Sequence, residues 1–225
     1  AHKSEHRPKL DLPGVITVSI ALFSIVYGFS NAETNGWADW ATLTWLGVGV
    51  VLLAGFVWWQ SRTPHALLPL RVITDRTRGG SYLAVFIVGI GMFGIFLFLT
   101  YYLQVNLHFT PIKTGLAFLP MIAMLIVTAT TATGVLLPRF GPRWLMAGGM
   151  LIAALGMVLL TQLTDTSTYA AHVLPALLIM GVGLGASMAP AMQGAVSGVL
   201  PEDAGVASAT VNTMQQVGGS VGTAL

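Results

Sequence analysis

A small set of hydrogen-bonding side chains lies within or at the edge of long apolar stretches, and these are the best candidates for chemistry in the sequence. They are Tyr101, Gln104, Gln193, Asn212, Gln215 and Gln216. Polar residues inside a membrane tend to face a bundle interior or a cavity. We interpret the set as a candidate substrate path, with hydrogen bonding between helices as the alternative. Phe118 and Met121 would add an adaptable apolar lining, unless they serve only in helix packing or lipid contact.

Acidic residues are absent from the interiors of these stretches. All eight lie in loops or at stretch ends, namely Glu5, Asp11, Glu33, Asp39, Asp75, Asp165, Glu202 and Asp203. A proton-coupled transporter needs a group in or near the membrane interior that takes up and releases a proton, usually Asp, Glu or His. Only His108 and His172 come near, and both lie at the edge. The sequence therefore contains no clear proton-coupling group.

Other chemistries have little support. The sequence has no Walker-type glycine loop for ATP, and no His, Asp or Glu pair has metal-ligand spacing within a stretch. The residue sets of intramembrane proteases are also missing. Cysteine is absent, and the net charge of +2 is too small and too scattered to indicate nucleic acid. We predict no catalytic residue, no cofactor and no metal.

The elements that must position the polar side chains are membrane helices. Hydrophobic residues make up 55% and charged residues 8% of the sequence, whereas a soluble domain is about 25% charged. Seven charge-free stretches are long enough to cross a bilayer, and they cover 12–32, 40–61, 79–112, 114–138, 144–164, 166–201 and 204–225. The alternating pattern of barrel strands is missing. We therefore predict an all-α polytopic membrane protein with about seven transmembrane helices, the last one truncated.

Lysine and arginine lie almost entirely in alternate connections between the stretches. Nine of the ten occur before residue 12, in 62–78 and in 139–143, and only Lys113 lies elsewhere. Basic residues are retained on the cytoplasmic side, so we predict a cytoplasmic chain start. The connection holding Glu202 and Asp203 has no basic residue, and we expect these carboxylates to complement the positive end of the helix that follows.

Glycines recur at helical spacing in the last two stretches. Gly181 and Gly185 lie four residues apart in the sixth stretch, and Gly205, Gly218 and Gly222 lie in the seventh. Small residues let helices approach closely in lipid. We predict that these glycines form packing surfaces, which would also suit two bundles that rock against each other.

The connection after the fourth stretch reads GVLLPRFGPRW and places two arginines around Gly141 and Pro142. Glycine and proline favour a tight turn between antiparallel helices. Arg139 and Arg143 would then cap a helix end or meet a carboxylate of a neighbouring helix. A tight cytoplasmic turn is the simplest interpretation of this segment.

The same segment resembles the second copy of a loop motif of the major facilitator superfamily. The matching residues are Gly134, Leu136, Arg139, Gly141 and Arg143. Pro138 stands where the family has Asp, which argues against a charge-relay role for this copy. The stretches 64–84, 110–121 and 200–225 resemble the 14-helix drug:proton antiporters of the EmrB/QacA type.

The resemblance implies a partial major facilitator fold in the plasma (inner) membrane. Residues 1–12 would be a cytoplasmic linker, 13–60 two central extra helices, 61–79 a cytoplasmic basic loop, and 80–225 the first five helices of the C-terminal bundle. Six N-terminal helices and the final helix would lie outside the chain. The carboxylate that couples transport to protons would lie in that N-terminal half.

The resemblance also implies a function, which is proton-coupled efflux of drug-like amphipathic compounds by alternating access. The partners would be a small-molecule substrate, protons and the lipid bilayer, without nucleic acid. An exporter of one endogenous metabolite is an alternative that no residue excludes. A non-transporting seven-helix receptor or assembly protein and a membrane-embedded enzyme are the alternatives from other classes.

Overall fold

The computed structural model describes residues 11–63 and 67–224, and helices occupy most of both ranges. The α-helices are α1 (Leu12–Asn35), α2 (Trp40–Gln60), α3 (Leu70–Thr74), α4 (Arg76–Val105), α5 (Pro111–Thr131), α6 (Leu137–Leu160), α7 (Leu174–Val196) and α8 (Ala204–Ala224). Two π-helical turns, Ala132–Leu136 and Tyr169–Val173, precede α6 and α7, and a 3-10 turn, Pro201–Asp203, precedes α8. No β-strand occurs within the described ranges. The linker predicted for 1–12 lies outside them except for its last two residues.

Polar side chains fix where several helices begin. Asp11, Asp39 and Asp75 precede α1, α2 and α4, and each carboxylate accepts a hydrogen bond from a backbone N–H of the first turn. The Thr110 hydroxyl does the same for α5. These caps satisfy N–H groups that have no partner inside the helix. Three of the acidic residues at stretch ends are therefore used to start helices.

Five helical runs are long and apolar enough to cross a membrane, which is the property of a multi-pass membrane protein. One of them, Pro111–Leu160, has 50 residues and is broken at Gly141, whose φ of 74° and ψ of 162° are not helical. It therefore supplies two of the predicted crossings, and the predicted turn at Gly141 is confirmed. The seventh predicted crossing, α8, is helical over 21 residues but less apolar than the five runs.

The basic loop predicted for residues 61–79 ends earlier in the structure than the sequence suggested. It contains the short helix α3, and α4 begins at Arg76. Asp75 caps the N–H groups of Thr77 and Arg78. The cap lets the helix extend into a region that its charges had suggested was a loop.

Helix α7 is the centre of the bundle. It packs against α4, α5 and α6, and α8 packs against α4 and α1. A core cluster at one end of the bundle includes Leu99, Leu103, Leu177 and Met180. The outer face of α6 is apolar and exposed, with Leu151 72% exposed, as expected for a lipid-facing surface.

Glycine lets the backbones in this bundle approach one another. A Cβ on Gly181 or Gly185 would lie 2.5 Å from a carbonyl oxygen of α5, closer than Cβ atoms approach. Gly218 and Gly222 meet carbonyl oxygens of α4 in the same way. The packing surface predicted for Gly205 is not present in the structure, because this residue is exposed and has no described atom within 4 Å of a Cβ. It lies in the first turn of α8, beyond the contact with α4.

The hairpin of α1 and α2 is closed by hydrogen bonds at both ends. At one end Gln60 Nε2 donates to Asp11 Oδ2 at 2.7 Å, and Trp59 Nε1 donates to Asp11 Oδ1 at 3.2 Å. At the other end Asn31 Nδ2 donates to Thr42 Oγ1 at 2.7 Å. Burial alone would raise the pKa of Asp11, but hydrogen bonds from Gly14, Gln60 and Trp59 outweigh it and lower the pKa.

Candidate functional site

The middle of α8 carries the amides that the sequence singled out. Gly218 and Gly222 turn one face of this helix onto α4. Asn212 and Gln216 lie on an exposed face, and Gln215 is half-buried. The structure therefore brings these three amides to the same level of one helix, near its midpoint.

A cleft separates this level of α8 from the middle of α1. It has a volume of about 380 Å³, and Asn212, Thr213 and Gln216 line it from α8. Leu22 and Phe23 are among the residues that line it from α1. A neighbouring cleft of about 250 Å³ shares Gln216. Together they form a groove with an apolar wall on α1 and an amide-bearing wall on α8, which we call the α1–α8 cleft.

The amides in the α1–α8 cleft keep hydrogen-bonding capacity. Asn212 Nδ2 donates to Ser208 O at 3.2 Å, one turn earlier in the same helix. Within residues 11–63 and 67–224, the side chain of Gln216 has no hydrogen-bond partner. A polar group in an apolar environment is costly unless it finds a partner. Gln216 can therefore both donate to and accept from a molecule in the cleft.

The remaining candidates for the substrate path do not join the α1–α8 cleft. Tyr101 and Gln104 are exposed near the end of α4, and Gln193 is exposed near the opposite end of the bundle, on α7. Phe118 and Met121 were expected to line the path or to serve in helix packing. They are only 5% and 1% exposed and belong to the core cluster, which favours packing. They lie on the face of α5 that packs against its neighbours, so they cannot line an open path.

The arginines of the loop motif are exposed on either side of the break at Gly141, near the start of α6. Gly134 lies in the π-helical turn with no described atom within 4 Å of a Cβ, and Gly141 forms the break itself. Within the described ranges, neither Arg139 nor Arg143 makes an ion pair. The sequence suggested a carboxylate partner for the two arginines, and the residues that the structure describes do not supply one.

A cluster of contacts that sequence reasoning missed lies where α4 and α8 begin. Arg78 Nε donates to Val72 O and Nη2 to Arg71 O, both at 3.0 Å, while Nη1 donates to Gly198 O at 3.2 Å. Arg71 Nη2 in turn donates to Asp203 Oδ2 at 3.0 Å. These contacts, which we call the arginine clamp, tie α3, the start of α4 and the connection between α7 and α8 together.

The arginine clamp gives Asp203 a contact that the sequence did not predict. This residue ends the 3-10 turn before α8, and its side chain, 8% exposed, pairs with Arg71. The sequence did contain a signal. A connection with two acids and no base lies on the same side as a connection with four arginines, and opposite charges attract.

Metal binding has no support in the described ranges, where no three His, Asp or Glu side chains form a group that could hold an ion. The arrangement suits reversible binding of an amphipathic molecule. Pockets of this kind are mostly apolar with a few polar groups that fix orientation.

Comparisons with known proteins agree on one family. Residues 12–223 match the sequence profile of the Major Facilitator Superfamily. The puromycin resistance protein pur8 of Streptomyces alboniger is 47% identical over 96% of this chain and 43% of its own length. The tetracenomycin C resistance and export protein of Streptomyces glaucescens is 32% identical over 99% of this chain and 41% of its own length.

A third relative, the cephamycin export protein CmcT of Amycolatopsis lactamdurans, is 31% identical over 97% of this chain and 45% of its own length. The chain thus spans less than half the length of each of these three relatives.

Proposed function

Because this chain belongs to the major facilitator superfamily, we propose that it forms part of a secondary active transporter that exports drug-like amphipathic compounds in exchange for protons. Residues 13–60 are the two central extra helices of a 14-helix protein, and 80–225 are the first five helices of its C-terminal bundle. Residues 61–79 connect them on the cytoplasmic side. The protein resides in the plasma (inner) membrane, with the start of this chain in the cytoplasm.

The observation that carries the proposal is the α1–α8 cleft. Its amides lie near the middle of α8, which we propose crosses the membrane, and polar residues at that depth mark substrate pathways. The apolar wall on α1 matches the apolar part of an amphipathic compound, and Gln216 matches its polar part. Asn212 and Gln215 extend the polar surface along α8. Alternating access would expose this surface to each side in turn.

The distribution of basic residues along the described helices supports the proposed orientation of the chain in the membrane, with its start in the cytoplasm. Arg62, Arg71, Arg76, Arg78, Arg139 and Arg143 flank helix ends that connectivity places on one side, and Lys113 is the described basic residue on the other. Retention of basic residues in the cytoplasm then puts the arginine clamp and the Gly141 turn on the inner side.

Proton coupling requires a group near the membrane interior that takes up and releases a proton, and the described carboxylates lie in loops or at helix ends. Asp11 lies at the edge of α1, and hydrogen bonds keep its pKa low despite burial, so it stays ionised at neutral pH. Asp39 and Asp75 cap helices at the membrane boundary. We therefore propose that the coupling group lies in the N-terminal half of the full-length protein.

The relatives' names give the first compounds to test, which are puromycin and tetracenomycin C. The full-length protein is reconstituted in liposomes with an imposed pH gradient, and uptake of each compound is measured. We expect transport that collapses when the gradient is removed. Gln216→Leu should raise KM about fivefold, the effect of losing a hydrogen bond worth about 1 kcal/mol.

The control variant is Gln162→Leu, which removes an amide from the exposed turn after α6. It should leave KM unchanged. Transport that ignores the pH gradient would refute proton coupling, and no transport of any compound would refute efflux. Transport of one compound class with no competition from the others would favour the exporter of a single metabolite.

A further inference from the structure

Helix α1 forms one wall of the cleft. Val26 lines both parts of the cleft, and Phe23 lines the larger part. Both residues lie near the midpoint of the 24-residue helix, as Gln216 does on α8. The extra hairpin therefore meets the bundle at the level of the amides.

The α1 wall carries an aromatic cluster. The rings of Phe23 and Tyr27 stack with centroids 5.8 Å apart, and Trp45 of α2 meets them edge-on at 6.1 Å and 5.0 Å. Phe23 is nevertheless 61% exposed. It presents an open ring beside the cleft, and such a ring favours offset stacking or edge contact with another aromatic ring.

The hairpin holds this wall in a fixed position. The hydrogen bonds of Asp11 with Gln60 and of Asn31 with Thr42 close its two ends, and α2 packs along its length. Gly49 of α2 approaches the backbone of Ala21 so closely that a Cβ would lie 3.1 Å from its carbonyl oxygen. A wall braced in this way can select a ligand by shape.

The charges around the cleft narrow the class of ligand. Among the residues that line it there is no carboxylate and no basic side chain. The interactions that these residues offer are therefore ring stacking, hydrogen bonds to Gln216 and Asn212, and the attraction of a cation to ring faces. A planar aromatic compound with one polar edge uses the first two together.

We propose that the α1–α8 cleft binds planar aromatic amphiphiles reached from the lipid, with Phe23 as the residue that selects for planarity. This inference rests on the proposed function, since it assigns a ligand class to the same transporter. It gives the extra hairpin a role as one wall of the binding site.

The test uses the full-length transporter in liposomes and two cationic probes of different shape. Ethidium is a planar aromatic cation, and tetraphenylphosphonium carries its rings in a tetrahedral arrangement. Phe23→Ala should raise KM for ethidium about two- to tenfold, the equivalent of one aromatic contact. The maximal rate should be retained, KM for tetraphenylphosphonium should change less than twofold, and Phe23→Trp should keep ethidium transport.

The matched control is Phe98→Ala on α4, a phenylalanine that is 51% exposed and stacks on Tyr102 outside the cleft. It should leave KM for both probes unchanged. If Phe23→Ala changes neither KM, or changes both equally, the inference fails while the transport function stands. If the unmodified protein transports no probe, the proposed function fails.

A labelling experiment tests the site without transport. The chain has no cysteine, so Val26→Cys in a cysteine-free full-length protein gives a single reactive group in the cleft. A lipid-soluble maleimide should label it, and ethidium should slow the reaction. Absence of labelling would mean that another part of the protein covers the cleft, and labelling that ethidium does not slow would mean that it binds elsewhere. Either result would overturn the inference.

Discussion

Gly149 and Gly148 are neighbours on α6 and form a matched pair for testing how closely α6 and α7 pack. A Cβ on Gly149 would lie 2.7 Å from Ser187 N and 2.8 Å from Gly183 O, whereas a Cβ on Gly148 meets no described atom within 4 Å. Cβ atoms do not come within 3.0 Å of such neighbours. Gly149→Ala must therefore push the two backbones apart.

The expected difference follows from two effects. Both alanines gain about 0.5–1 kcal/mol from the better helix propensity of alanine, and this gain cancels in the comparison. Overpacking costs about 1–3 kcal/mol. Because the atoms that obstruct Gly149 are backbone atoms, no side chain can move aside, and we expect the upper half of that range. Gly149→Ala should therefore be about 2–3 kcal/mol less stable than Gly148→Ala.

Thermal unfolding of the full-length protein in detergent micelles, followed by tryptophan fluorescence, measures this difference. The shift is about 2–4 °C per kcal/mol for a domain of 150–250 residues and falls with size, so in the longer full-length protein Gly149→Ala should unfold a few degrees below Gly148→Ala. Equal midpoints would refute the reasoning, because they would show that α6 and α7 have room for a methyl group between them.

Three further predictions concern the ends of the helices. Asp203→Asn removes the charge that pairs with Arg71 and should lower stability by about 1 kcal/mol, a modest effect because solvent screens the 61% exposed Arg71 side chain. Gly141→Ala should cost about 1–3 kcal/mol, because its φ of 74° with ψ of 162° belongs to a region that is nearly closed to other residues. The stabilisation from Asp11, whose pKa is lowered from 3.8, should be constant from about pH 8 to 5 and be lost as the pH falls through the lowered value. Unfolding midpoints of the full-length protein measure all three, the last by comparison with Asp11→Asn.

Each of these predictions has its own control. Asp165→Asn changes an exposed carboxylate at the opposite end and should be close to neutral. Gly134→Ala places a methyl group in open space at a residue whose φ is not positive, and it should not destabilise the protein. A neutral Asp203→Asn or Gly141→Ala would contradict the contacts described for those residues. A difference between wild type and Asp11→Asn that varies between about pH 5 and 8 would contradict the lowered pKa.

The helices could be predicted from the sequence because a membrane span needs an uninterrupted apolar run, and charges mark where such runs end. The turn at Gly141 could be predicted because few residues adopt its backbone conformation. Helix ends were less predictable, since Asp75 caps α4 and brings Arg76 and Arg78 into a helix that its charges suggested should start later.

The candidate site was only partly predictable because residue type does not say which neighbour a face meets. Methionine suits a binding surface and a core equally, so only the structure shows that Met121 is buried. In the same way, only the structure shows that Gln216 is exposed in the cleft. The pairing of Arg71 with Asp203 joins residues 132 positions apart. The opposite charges of the two connections indicate attraction between them, but no local pattern reports which residues pair.

The modest apolarity of α8 has a consequence for how the protein is made. The amides and glycines that give α8 its cleft and its contact with α4 also make it a weak candidate for passing from the translocon into lipid alone. Helix α4 is strongly apolar, and Gly89 and Gly94 bring its backbone against α8. We expect α4 to be inserted first and to remain beside the translocon until α8 is synthesised. Insertion of α8 would then depend on a helix made about a hundred residues earlier.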